Sequence, residues 1–360
     1  MRISETNTSL PPERGRARRK SLTFLLLLAA LITTNCLLCF LVEPYRSSSE
    51  EMWRGYAAFG DMDTVYAGTS QALSGIIPED VDETSGSRSY NMGTNMQSLH
   101  DSKIAIQKAY SDHKIRRAVL VIDLEVLGTE RSANFRADES FYHAKGKMEA
   151  FPQRAADAFS FITSDAFFGK PASLTYFMPW IYNRSTDVRL NVREKMQRKV
   201  LNPEGHRTAT GFEPSKEVVN QSIHFVSWEE ADSWDQTATA FHSLTLTQDN
   251  REELLEICRF CKDHQIDLVP VVLPSLNFLN IYRAKDYLAM KDTLTQLFRA
   301  EGFDYYDFNC IDASLLSVAS TQYKDVGHMN TEGAAVFSKF LGKFLLKRES
   351  GTDLAGYFVR

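Results

Sequence analysis

The sequence predicts a doubly wound, flavodoxin-like α/β fold: a parallel sheet of about five strands, with a transmembrane helix ahead of it and a large insertion within it. Three observations predict this. Short apolar runs bounded by glycine or acidic residues recur at Asp63–Gly68, Ala118–Asp123 and Asp267–Leu273. Amphipathic segments of helical period separate or follow them. An uncharged stretch from Leu22 to Val42 precedes them all.

That stretch is 21 residues long and is broken in polarity only by Thr23, Thr33, Thr34 and Asn35. At about 1.5 Å per residue it spans roughly 30 Å, the thickness of a bilayer's hydrocarbon core. Arg14, Arg16, Arg18, Arg19 and Lys20 flank it on one side, Glu43, Glu50 and Glu51 on the other. This asymmetry predicts a single-pass protein of the cell membrane with a cytoplasmic N-terminus and an exported main body. A cleaved signal peptide reads less well, because no small-x-small site follows and the run exceeds a usual h-region. Lipoprotein processing reads no better, since Cys36 and Cys39 lack a small-residue context.

The expected partition is a basic tail (1–20), an anchor (21–43), a polar linker (44–60), the first half of the α/β domain (61–127), an insertion (128–247), the second half (248–349) and a C-terminal tail (350–360). Asp63–Gly68 reads as a strand, followed by another near Ser87–Asn91 and a helix over Leu99–Tyr110. Ala118–Asp123 is continuously apolar up to its final aspartate, as strands buried on both faces are. Helix Asn250–His264 leads to strand Asp267–Leu273, and helix Ala284–Glu301 to strand Phe303–Asp307. The last helix, Thr331–Lys347, carries Phe337, Phe340, Leu341, Phe344 and Leu345 on one stripe, with Asn330 as N-cap. Within the insertion the alternation stops, and Trp180, Tyr182, Trp228 and Trp234 read as core residues or, alternatively, as a lid or carbohydrate-stacking surface.

Six of the 41 basic and two of the 46 acidic residues lie in the first twenty positions, so the remainder carries a net charge of −9. Nucleic acid is therefore not an expected partner. Outside the apolar stretch only Cys258, Cys261 and Cys310 remain, which is no disulfide framework. Cys258 and Cys261 share one apolar helix face with Leu254, Leu255 and Ile257, which favours packing over a redox or zinc site. Neither a metal nor an organic cofactor is expected.

In a parallel α/β sheet ligands lie beyond the carboxyl ends of the strands, and four places qualify. In Ala67-Gly-Thr-Ser70 glycine permits a sharp turn that presents a serine, although a capped turn gives the same pattern. In Asp325-Val-Gly-His328 the aspartate can take one ring N–H while the other ring nitrogen points outward, the arrangement that activates a serine. A helix-start aspartate beside an exposed histidine is the bland alternative, but the two motifs at one sheet end together favour catalysis. Asn91-Met-Gly-Thr-Asn-Met-Gln97 offers backbone N–H groups and the Asn95 amide to an oxyanion, or is an ordinary polar turn. Asp123 with Glu125 has no accompanying histidine cluster and reads as a structural or minor site element.

In this order the motifs resemble the SGNH/GDSL hydrolase superfamily, and more narrowly its membrane-anchored, exported members. These include the D-alanyl transfer protein of teichoic-acid modification and the O-acetylation proteins of exopolysaccharides. The phrases that carry the likeness are Asp63–Ser70, Tyr90-Asn-Met-Gly93, Tyr305–Asn309 and Asp325–Ala334. The resemblance implies Ser70 as nucleophile, His328 as general base and Asp325 as its orienter. It implies an oxyanion site of the Ser70 N–H with Gly93 or Asn95. Where the superfamily has a Gly-x-Asn-Asp phrase, this chain has Asp123-Leu-Glu-Val, and the missing asparagine removes a donor worth about 3 kcal/mol. The function so implied is an acyl esterase or O-acyltransferase acting on a cell-surface polysaccharide, a teichoic-acid-like polymer or its lipid-linked precursor, alone or with a membrane-bound acyltransferase. The competing reading is a non-catalytic module that binds such a polymer or partner. About 18 linker residues would hold the site within roughly 60 Å of the membrane.

Overall fold

The computed structural model of the chain describes residues 12–201, 206–233 and 241–360, so Trp234 and the first eleven residues of the basic tail lie outside it. The chain divides into two compact units: the residues up to Tyr45 with Phe177–Leu201, and Arg46–Tyr176 with Asn202–Arg360. In chain order, α1 (Pro12–Val42) and α2 (Ser48–Ala58) precede β1 (Thr64–Gly68), α3 (Ser70–Gly75), α4 (Pro78–Ser85), β2 (Ser89–Asn91), α5 (Leu99–His113) and β3 (Arg117–Val121). Then come α6 (Leu124–Leu127), α7 (Phe135–Met148), α8 (Phe151–Thr163), α9 (Ala172–Thr175), α10 (Val188–Gln197) and α11 (Trp228–Ser233). They are followed by α12 (Gln248–Asp263), β4 (Asp267–Val272), α13 (Phe278–Ile281), α14 (Ala284–Ala300), β5 (Tyr306–Asp307) and α15 (Thr331–Glu349).

The larger unit holds a five-stranded sheet of order β2-β1-β3-β4-β5 with every neighbouring pair parallel. This is the doubly wound arrangement expected, with its switch point between β1 and β3. Every residue of β1 and β3 is buried, because helices cover both faces of the sheet. Val65, Ala67 and Leu120 face one layer, packing with Ile106 of α5, Leu254 of α12 and Leu294 of α14. Tyr66, Val119 and Val271 face the other, against Val81 of α4 and Phe337 and Leu341 of α15. Asn330 caps α15 by accepting from the N–H groups of Glu332 and Gly333, both at 3.1 Å. Cys258 and Cys261 are fully buried in the first layer, where burial pushes each thiol up to about 12.

The expected linker is not one. Most of 44–60 is α2, capped by Ser47, whose hydroxyl accepts from Glu50 N–H at 3.1 Å. Met52, Trp53 and Tyr56 form one stripe of it and are buried in the core, with Trp53 edge-on to Phe141. A window of serines, glutamates and glycines reads as polar by composition, yet an i, i+1, i+4 apolar stripe suffices to fold it onto a sheet layer. Only the five residues Glu43–Ser47 separate α1 from α2 in sequence.

The smaller unit is built on α1, the one helix among the described residues that is long and apolar enough to cross a membrane. Its last carbonyls have no intrahelical donors. Asn191 of α10 donates to the carbonyls of Leu41 and Glu43, both at 2.9 Å, and Lys195 Nζ to those of Cys39 and Phe40, both at 2.8 Å. Higher up the helix, Asn35 accepts from Trp180 Nε1–H at 2.7 Å and donates to the Phe177 carbonyl at 2.9 Å.

β1 ends on Gly68 at φ +150°, where a Cβ would stand 2.5 Å from the Val121 carbonyl oxygen and 2.8 Å from Val121 Cβ. Gly68→Ala is expected to lower stability by about 1–3 kcal/mol through strain and overlap. Gly356→Ala, with nothing within 4 Å of its Cβ, should stay within about 0.5 kcal/mol. Denaturant midpoints of the two variants check this.

Candidate active site

Ser70 is the first residue of α3, immediately beyond the end of β1. As a helix-start residue its N–H has no intrahelical acceptor. Thr69, the N-cap, uses its hydroxyl twice: it accepts from Gln71 N–H at 3.3 Å and donates to Asp123 Oδ2 at 2.9 Å. Two amide side chains fix the surroundings. Gln97 Oε1 accepts from Gly68 N–H at 3.1 Å and Thr94 N–H at 3.2 Å, joining the end of β1 to the loop after β2. Asn91 Nδ2 donates to the carbonyls of Ala72 at 2.7 Å and Ile76 at 2.9 Å, holding the body of α3.

The structure brings Ser70, His328 and Asp325 together. Ser70 Oγ lies 2.7 Å from His328 Nε2, and His328 Nδ1 lies 2.8 Å and 3.1 Å from the two Asp325 oxygens. Burial acts to raise the Asp325 carboxyl, but hydrogen bonds from the His328 ring and from the N–H groups of Gly327 and His328 outweigh it and hold it below its ordinary range. An ionised carboxylate only accepts, so it fixes the ring proton on Nδ1 and leaves Nε2 as acceptor for the serine hydroxyl. The loop that carries the pair is closed by the Lys324 N–H donating to the His328 carbonyl at 2.9 Å, beside a bridge between Tyr323 and Met329.

The expected oxyanion residues are placed differently. Gly93 N–H donates to Asn91 Oδ1 at 3.0 Å, so it is spent inside the loop. Asn95 is exposed and is not among the residues lining the cavity beside Ser70, where Met96 stands instead. Glu125, at the position of the expected asparagine, lines that cavity, and so does Asp123. The Asp123 carboxyl is raised, by burial first, against the lowering effect of bonds from Thr69 and the Glu125 N–H and of the nearby His328. Asp123 thus lines the cavity beside Ser70, the second of the two readings its Asp-x-Glu pattern allowed.

The cavity measures about 270 Å³ and is bounded on its far side by Ser275, Phe278, Tyr282 and Asn309. A larger one, about 580 Å³, lies between α14, β5 and the C-terminal segment, and its lining contains no serine or histidine. Asn309, within a phrase that carried the sequence resemblance, is the main residue whose role was not foreseen. Its side chain accepts from Ser275 N–H at 2.8 Å and donates to the Leu273 carbonyl at 3.2 Å and Tyr287 Oη at 2.9 Å. Behind it, Asp307 Oδ1 accepts from Tyr287 Oη at 3.1 Å and Asn309 N–H at 3.0 Å. Trp228 also reaches Asn309, donating from Nε1 to its carbonyl at 3.0 Å, and packs on Phe278 and Tyr287 in the wall of the domain.

No family model matches the chain, and no curated protein matches it in sequence. Among solved structures it is similar to a candidate acylhydrolase from Bacteroides fragilis, with 9% identity and a TM-score of 0.37 over 82% of this chain and 94% of that one. It is similar also to a GDSL-like lipase from Bacteroides thetaiotaomicron, with 11% identity and a TM-score of 0.37 over 83% of this chain and 99% of that one. The reading of the site rests on the geometry above.

Burial raises the Asp307 carboxyl to about 6 despite its hydrogen bonds. Between its ordinary value of 3.8 and about 6 the folded state keeps a proton that the unfolded state has released, so stability falls as pH rises through this window. The loss amounts to about 3 kcal/mol once pH exceeds the folded value. In urea melts from pH 4 to pH 7, Asp307→Asn is expected to remove this downward slope relative to wild type, and parallel curves would refute the assignment.

Proposed function

We propose that the chain is a membrane-anchored, serine-dependent acyl esterase or O-acyltransferase that acts on a cell-surface glycan or its lipid-linked precursor. The observation that carries this reading is the continuous relay from Ser70 Oγ through the His328 ring to an Asp325 kept ionised. Ser70 Oγ attacks the acyl carbonyl as Nε2 takes its proton, and the resulting imidazolium is held by Asp325. The proton passes to the leaving alcohol as the ester bond breaks, and the acyl group stays on Ser70. Water or an acceptor hydroxyl then repeats the sequence in reverse.

Charge developing on the carbonyl oxygen meets the Ser70 N–H, with Gly93 N–H already used and the Asp123 carboxyl nearby. Forgoing one donor costs about 3 kcal/mol of transition-state stabilisation, which a slow, specific transferase tolerates better than a fast esterase. The same feature supports a second reading, a non-catalytic module that binds an envelope polymer or a membrane acyltransferase. In the catalytic reading α1 is the anchor, with the basic tail cytoplasmic and the sheet-bearing unit outside. The five-residue connection to α2 then favours membrane-proximal polymers or lipid-linked donors.

A fluorophosphonate probe separates the readings. Wild type is expected to take the label on Ser70, Ser70→Ala to take none, and His328→Ala to react about 10²–10⁴-fold more slowly. An unlabelled wild type, or equal labelling of Ser70→Ala, sinks the nucleophile assignment. Direction of transfer is read from the acyl content of surface polysaccharide. A higher content in both deletion and His328→Ala strains means an esterase, a lower content in both a transferase, and a His328→Ala strain equal to wild type overturns catalysis.

A further inference from the structure

The unit built on α1 contains a second assembly unrelated to the acyl site. Asn35 lies seven residues before Val42, about 10 Å along the helix from the end of the apolar run. If α1 crosses a bilayer, as proposed above, that level falls among the acyl chains of one leaflet. A bare amide there is unfavourable, and this one is satisfied on both sides by Trp180 Nε1–H and the Phe177 carbonyl. The segment that supplies these partners, Phe177-Met-Pro-Trp-Ile-Tyr182, has no charged side chain, and Phe177 is 53% exposed. With α1 across the bilayer, this uncharged segment lies at the depth of the acyl chains.

Immediately after it the composition inverts. The helix α10, which caps the carbonyl end of α1, marks the level where the apolar run stops, and so the level of headgroups. Arg189, Arg193, Arg198 and Lys199 are exposed and form no ion pair among the described residues, while the exposed Arg184 donates to the Ile181 carbonyl at 3.1 Å and 2.9 Å. Asp187 caps α10 through the Leu190 N–H, and Glu194 accepts from Leu201 N–H, so the two acidic groups of the segment are engaged locally. Aromatic residues below and unpaired arginines above, on one structure clasped to a membrane helix, match an anionic phospholipid: acyl chain against the rings, phosphate against the guanidinium groups.

We propose that residues 177–199 form a collar at the carboxyl end of α1 that selects anionic phospholipids. The proposal rests on the anchor reading and is separable from it. Full-length protein is reconstituted in vesicles of equal parts phosphatidylcholine and phosphatidylglycerol, with bromines on the chains of one lipid or the other. The Trp180-dependent fluorescence, taken as the difference from Trp180→Phe, is expected to be quenched by both, with a relative association about fivefold in favour of phosphatidylglycerol. Combining Arg189→Gln, Arg193→Gln, Arg198→Gln and Lys199→Gln, all on the exposed surface, should bring that ratio to one. Equal association in wild type, in protein that resists alkaline carbonate extraction, overturns the collar and leaves the anchor. Release of wild type by carbonate overturns both.

Discussion

Everything at the mouth of the sheet depends on how closely the end of β1 approaches β3. With hydrogen alone on Gly68, the backbone sits against the Val121 carbonyl where a Cβ has no room. That closeness brings Thr69 within reach of Asp123 and starts α3 one residue later with Ser70 at its head. Asn91 and Gln97 then hold this turn from the β2 side, each using one side-chain amide on several backbone groups at once. The serine is fixed by its own surroundings, and His328 meets it from a separately closed loop. Backbone sterics position Ser70, and a single carboxylate positions the His328 ring.

The environments of the two aspartates near His328 push in opposite directions. Asp325 collects two backbone N–H groups and the ring, and stays ionised. Asp123 has lost more water than its donors replace, so its carboxyl is raised despite the hydrogen bonds from Thr69 and the Glu125 N–H. Divergent carboxyls around one histidine are a recurrent way of assigning separate roles to chemically similar groups. Here the Asp325 carboxylate meets the ring directly, while the Asp123 carboxyl is held by the Thr69 hydroxyl and the Glu125 N–H.

How much of this was legible in the sequence differs with the physical origin of each part. β1, β3 and β4 announced themselves because a strand covered on both faces needs an unbroken apolar run. Ser70, Asp325 and His328 were legible because a sharp glycine turn and a three-residue spacing constrain geometry locally. Gly93 was not, since no pattern tells which acceptor a loop N–H will choose, and Asn91 Oδ1 lies only two residues away. α2 was hidden by its composition, with three buried apolar side chains setting its face among serines and glutamates. The role of Phe177–Leu201 was the least legible of all, because its partners on α1 are long-range in sequence.

That last separation has a consequence for how the molecule is made. Lys195 closes the end of α1 across 152 positions, so the last turn of the helix is synthesised long before its cap exists. At about 5–20 residues per second, roughly ten to thirty seconds pass between the two. During that interval the terminal carbonyls of α1 lack the side-chain donors that the finished chain supplies. The helix end matures last, and a chain halted in the middle of the insertion would leave the terminal carbonyls of α1 without the donors of α10.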